Sequence, residues 1–245
     1  MRTIVITGYG INADRELAEA FRLAGGEPVA VHIADLLEDP LLLTTCEILA
    51  FPGGFSFGGY IGAGKVLASL LKDRMKNELQ AFVRDGKLIL GVCDGFQVLV
   101  KMGILPNLGK DLTQEASLIH NDSGLFTDRW VGIRFNTANP SPWIRGLQPT
   151  MYPVIHGEGR FITSSPKVAK ALADKNLAAM FYEDNPNGSE NAIAGITDET
   201  GRVLGMMPRP EAFLFTENHP FRDSSVRTGR ALFENAVAFV KNGGV

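Results

Sequence analysis

Cysteine is scarce in this chain: two residues in 245, Cys46 and Cys93. Two cysteines make no disulfide framework, and such sparing use suits a reducing compartment. Long hydrophobic runs are missing too, so nothing in the sequence is expected to cross a bilayer. The apolar part of the opening MRTIVITGYG is too short for a secretion signal and reads as a first strand. An excess of positive charge is also absent. Lysine and arginine number 24 against 27 acidic residues, for a net charge of -3. A general nucleic-acid binder is normally basic, so that class is disfavoured. The four histidines form no metal-ligand spacing with the cysteines, and no metal is expected. The expectation is a cytoplasmic protein with no membrane or nucleic-acid partner. Hydrophobic residues make up 45% of the chain and charged ones 21%, which is enough for a large core and unlike a disordered chain.

Short apolar runs alternate with helical stretches through the first hundred residues. Thr3 to Thr7, Pro28 to Ile33, Glu47 to Phe51 and the KLILGV run ending at Val92 read as strands. Between them, ELAEAFRLA reads as a helix capped by Asn12 or Asp14. A second helical stretch runs from about Gly64 to Val83, broken near Lys72 to Arg74. Apolar strands between helices imply a parallel sheet covered on both faces, the doubly wound α/β class. The second half adds shorter strands at Arg129 to Phe135, Met151 to Ile155 and Ala178 to Glu183. Two more follow, around IAGI and RVLGMM, with turns near Asn187-Gly188 and in TDETG. These are expected to extend one side of the sheet in antiparallel fashion, with a final helix over Arg230 to Lys241. No linker or repeat interrupts the chain, and one domain over 1–245 is expected.

LILGVCDGFQVLV places Cys93 between a buried strand and a helix, with small residues at the turn. This is the layout of a nucleophile elbow. The thiol would stand at the carboxyl end of the sheet, where open α/β folds bind ligands. The helix N-terminus favours the thiolate, and its free amides can stabilise an oxyanion. The plainer reading of Cys93 is a buried structural cysteine, which is also the reading for Cys46. FPGGFSFGGYIGAG carries six glycines after a strand. Its exposed amides suit an oxyanion or a phosphate, or it forms only tight turns. It lacks GxxxxGK[ST] and is no P-loop. VIHGEGRF sets His156 and Glu158 two residues apart. GMMPRPEAF holds Arg209 between two prolines in a rigid corner after a strand.

These stretches, in this order, resemble the glutaminase subunits of phosphoribosylformylglycinamidine synthases, which are class I glutamine amidotransferases. The likeness covers nearly the whole chain. NDSGLFTDRWVGIRF, NPNGSENAIAGI and GMMP point to this purine-pathway branch. The resemblance implies a flavodoxin-like α/β fold and hydrolysis of glutamine through a Cys93 thioester. It implies oxyanion amides near Gly54 and Asp94, and Gln97 as a substrate-holding residue. It implies no cofactor on this chain, with ATP and magnesium on a large synthetase subunit that takes the ammonia, and a small third subunit beside it.

Three departures from the family pattern stand out. Arg209 takes the place of the histidine that serves as base, while the orienting Glu211 is intact. Gly59 and Gly62 replace an acid and a base of GDYLRAG, and Asp94 replaces an asparagine. An arginine stays protonated and cannot act as a general base. Either another histidine, His219 or His156, takes over, or the chain is a catalytically silent glutamine-binding or docking subunit. Arg209 could instead pair with Glu211 and face away from the thiol.

Overall fold

The computed structural model describes residues 1–222 and 225–245. In chain order it runs β1 (Arg2–Thr7), α1 (Asp14–Leu23), β2 (Glu27–His32), α2 (Ile33–Glu38), β3 (Ile48–Phe51), α3 (Lys65–Arg74), α4 (Lys76–Arg84), β4 (Leu88–Val92) and α5 (Asp94–Met102). The second half runs β5 (Ala116–Ile119), β6 (Thr127–Phe135), β7 (Thr150–His156), β8 (Arg160–Thr163), α6 (Pro166–Asp174), β9 (Ala178–Tyr182), β10 (Ile193–Thr197), β11 (Val203–Met206) and α7 (Arg230–Lys241).

Nine strands form one sheet in the order β2-β1-β3-β4-β11-β10-β9-β6-β7, and β5 pairs with β8 apart from it. The five strands from β2 to β11 are parallel, and every pairing from β11 to β7 is antiparallel. The doubly wound parallel half and its antiparallel extension thus match the expected α/β class. Strands β3 and β4 are buried along their whole length. That is why ILAF and LILGV read as continuous apolar runs rather than alternating ones.

Several boundaries differ from the sequence reading. Asn12 and Asp14 do not cap α1. Its N-cap is Ala13, with no side-chain cap, and Asp14 Oδ2 instead accepts a 2.9 Å bond from the Thr7 hydroxyl. Ile33 begins α2 rather than ending β2. The short pair β5 and β8 and the helix α6, capped by Ser165, are additional elements. The break in the long helix falls at Met75, whose φ and ψ of -134° and 18° interrupt the helical run.

The functional end of the sheet is built on one close approach. Gly95, in the first turn of α5, packs so near the end of β3 that a Cβ there would overlap the Phe51 carbonyl oxygen. Its amide donates to Pro52 O at 3.1 Å. Gly91 lies equally close under the same turn, where a Cβ would stand 2.6 Å from Gly95 O. Only glycine permits this spacing. The Gly95→Ala variant is expected to lose at least about 3 kcal/mol of stability, the upper end of overpacking costs. Urea unfolding of the purified chain reads this directly.

Candidate active site

Cys93 joins β4 to α5 with φ 54° and ψ -108°. Left-handed φ is rare outside glycine and stores strain of about 1–3 kcal/mol, a feature that clusters at functional sites. The neighbouring strand enforces it: the Cys93 amide donates to Met206 O, the last residue of β11, at 2.8 Å. The thiol is 6% exposed and directs its weak bond to Ile155 O at 3.5 Å. Burial pushes the thiol up to about 12. The Arg209 guanidinium opposes this shift, while the Asp94 and Glu211 charges add to it.

Because β11 lies beside β4, the corner that follows β11 comes out next to the elbow. The Arg209 amide is tied to Pro153 O in β7 at 2.9 Å, and its Nε donates to Glu211 Oε1 at 2.8 Å. A Cβ built on Gly53 would lie 3.3 Å from Cys93 Cβ and 3.6 Å from both Arg209 Cζ and Nε. The guanidinium therefore pairs with Glu211 and still lies beside Cys93, so it does not face away. Glu211 is 2% exposed. Burial raises its carboxyl, and Arg209 pulls against that rise.

The two candidate histidines sit in different surroundings. His219 is buried among Trp130, Phe213 and Phe221, with ring centroids 5.2, 5.7 and 5.9 Å away. It is not among the residues lining the Cys93 cleft. His156 does line the cleft, but both of its ring nitrogens are engaged. Nδ1 lies 3.1 Å from Asn121 Oδ1 and Nε2 lies 3.4 Å from Asn187 Nδ2. The partners fit a neutral ring that donates to Asn121 and accepts from Asn187. Burial lowers its pKa to about 4.

The cleft holds about 200 Å³ and is lined by Gly54, Gln97, His120, Phe126 and Glu158 as well as Cys93. Gly54 sits at φ 153°, with Gly10 O and Asn12 N within 2.9 Å of where a Cβ would be. The loop after it hangs from the first βα loop: Phe55 N–H donates to Gly10 O at 2.9 Å and Phe57 N–H to Tyr9 O at 2.6 Å. Gln97 Nε2 donates to Glu158 O at 2.5 Å, and the Glu158 carboxylate accepts from Ala63 N–H at 3.3 Å. Gly59 and Gly62, the two other departures, lie on this loop at φ 65° and 114°.

The sequence assigns Asn121 no role and Asn187 only a place in a turn. Asn121 spans Leu125 O and His156 O, each at 2.9 Å, and accepts from Gly159 N–H at 3.0 Å. The only signal was their place in NDSG and NPNGS, since a sequence does not say that two distant turns close on one imidazole.

The profile of CobB/CobQ-like glutamine amidotransferase domains matches residues 1–240. Phosphoribosylformylglycinamidine synthase subunit PurQ of Dehalococcoides mccartyi is 39% identical over 231 residues, covering 90% of this chain and 88% of that protein. The chain belongs to the PurQ family. PurQ of Treponema denticola is 37% identical, with 93% of each chain covered. A chain of the PurLQS structure from Thermotoga maritima superposes with a TM-score of 0.76 at 28% identity, over 98% of both chains.

The neutral, buried His156 generates an acid-stability prediction. The unfolded ring binds its proton near 6.5 and the folded ring only near 4, so the unfolded state holds more protons in between. Stability is expected to fall as pH drops from about 6.5 to about 4, by up to about 3 kcal/mol. Denaturant titrations at pH 7 and 4.5 should show this acid loss in the natural chain and a smaller one in His156→Gln.

Proposed function

We propose that this chain is the glutaminase subunit of a phosphoribosylformylglycinamidine synthase, with Cys93 as its nucleophile. One observation carries the reading. A strained cysteine elbow opens onto a small cleft between the amide-rich Gly54 loop and the Ile155 to Glu158 segment, with the Arg209-Glu211 pair beside the elbow. Cys93 Sγ attacks the side-chain amide carbon of glutamine. The oxyanion is held by the amides of Gly54 and Asp94, and Gln97 helps seat the substrate from the first turn of α5. The carbon–nitrogen bond then breaks, and the thiol proton leaves with the nitrogen as ammonia. Water cleaves the thioester to glutamate and regenerates the thiol.

Arg209 supplies charge rather than a proton relay. Its guanidinium favours the thiolate and the negative tetrahedral adduct, while proton transfers pass without an imidazole, which slows them. The ammonia goes to a large synthetase subunit carrying ATP and magnesium, with a small third subunit completing the assembly. Support for docking at this face comes from the loops bordering the cleft. Phe55, Tyr60, Ile61, Leu125 and Phe126 are exposed there, Tyr60 to 90%, and Phe55 stacks on Phe126. Exposed apolar patches of this kind mark interaction sites.

The test is glutamine-dependent ammonia release by the reconstituted complex. Cys93→Ala is expected to abolish it, and an unchanged rate in that variant overturns the reading. Arg209→His is expected to raise the turnover roughly 10²- to 10⁴-fold, the usual worth of a general base. Equal turnover of the natural chain and Arg209→His would show that another group already moves the proton.

A further inference from the structure

The glutaminase reading uses only the main chain of residue 94, yet its side chain is one of the most buried carboxyls in the molecule. Asp94 is 1% exposed and Ser56 is 2% exposed. Asp94 Oδ2 accepts a 3.1 Å bond from the Ser56 amide, 38 residues away. The other carboxyl oxygen, Oδ1, and the Ser56 hydroxyl are both buried with no partner in strict hydrogen-bond geometry among the described residues, though the Ser56 hydroxyl and the Gly64 amide lie near enough to favour the charged carboxyl against the burial that disfavours it. A buried, desolvated carboxyl is retained at a cost unless its bonds do something.

What the bond spans is the Gly54 loop. On one side of Gly54, Pro52 O accepts from Gly95 N–H at 3.1 Å. On the other, Ser56 N–H donates to Asp94. The segment from Pro52 to Ser56 is therefore clamped at both ends by the two residues that follow the nucleophile. The opposite side of the loop is held by Gly10 O and Tyr9 O.

Resting on the glutaminase reading, we propose that the Asp94 side chain is a positioning residue for the oxyanion hole, locking the Gly54 amide against the Cys93 elbow through Ser56. Residue 94 then serves both halves of the hole: its own amide is one donor, and its carboxyl sets the other. Oxyanion donors act through distance. A shift of about 1 Å in such a group can lower the rate about 10²-fold.

The experiment compares natural chain, Asp94→Ala, Asp94→Asn and Cys93→Ala in the reconstituted complex. Asp94→Ala is expected to lower kcat roughly 10- to 10²-fold with KM within about threefold, because the donor works on the tetrahedral adduct and not on bound glutamine. Asp94→Asn keeps an acceptor for Ser56 N–H and is expected to recover most of that loss. A second readout is affinity for glutamate γ-semialdehyde, which the Cys93 thiol converts to a tetrahedral adduct. It should weaken at least about tenfold in Asp94→Ala, in step with kcat. If Asp94→Ala does not fold, Asp94→Ser, whose hydroxyl is too short to reach Ser56, takes its place. Unchanged kcat and aldehyde affinity in the folded variant overturn the proposal. So does a loss that Asp94→Asn fails to recover. Failure of the glutaminase reading itself looks different: Cys93→Ala would then match the natural chain.

Discussion

The close packing of the first turn of α5 against the end of β3 is the constraint on which the site depends. With glycine at 91 and 95, the helix descends onto the sheet until backbone meets backbone. That approach forces the chain to turn within one residue, and the residue at the turn is Cys93 at φ 54°. A looser approach would let the turn relax into an ordinary loop, and the thiol would lose its fixed place between β3 and β11. The strain at one residue is small against the burial of β4 and α5 around it.

Strand adjacency does the remaining assembly. Placing β11 beside β4 brings Met206 to the Cys93 amide and swings the proline-framed corner to the same side. The antiparallel half then returns to the elbow. Its edge strand β7 meets Cys93 through Ile155 O and Arg209 through Pro153 O. The Gly54 loop, the elbow with Gln97, and His120, Phe126 and the end of β7 thus share a cleft of about 200 Å³, although these segments lie far apart in the sequence.

How much of this was legible in the sequence depended on the range of the signal. KLILGV and CDGFQVLV carry their structure locally, in apolar periodicity and in glycines at fixed offsets, and they read correctly. The strands β5 and β8 are four residues each and pair only with one another. Unlike the equally short β3 and β11, which are buried throughout and read as apolar runs, they are only partly buried and carry no usable pattern. The case of His219 turned on tertiary packing: TENHP reads as a loop free to fold back, but three aromatic rings close around the imidazole. His156 looked like a histidine with an adjacent carboxylate. Its partners are instead two asparagines 35 and 31 residues away. The Arg209-Glu211 pair was legible as a spacing, but its nearness to Gly53 and Cys93 was not.

The charges around Cys93 explain why an arginine is tolerable at this corner. Without it, two buried carboxyl groups, Glu211 and Asp94, would face a thiol already disfavoured as an anion by burial. Removing one member of a buried ion pair leaves the other uncompensated, which is strongly destabilising. The guanidinium bonds Glu211 Oε1 through Nε, while Oε2 has no hydrogen-bond partner among the described residues, and it stands over Gly53 on the side of Cys93. A neutral imidazole in its place would move protons but would not neutralise Glu211. On the proposed glutaminase reading, the corner trades two properties against each other: a permanent cation stabilises the resting charges and the developing oxyanion, and a titrating base speeds the proton transfers. Closure of a partner over the exposed aromatic rim would exclude water and strengthen the first property, since charge interactions grow as the local dielectric falls. The second does not gain in the same way, because an arginine has no proton it can readily give up in any dielectric.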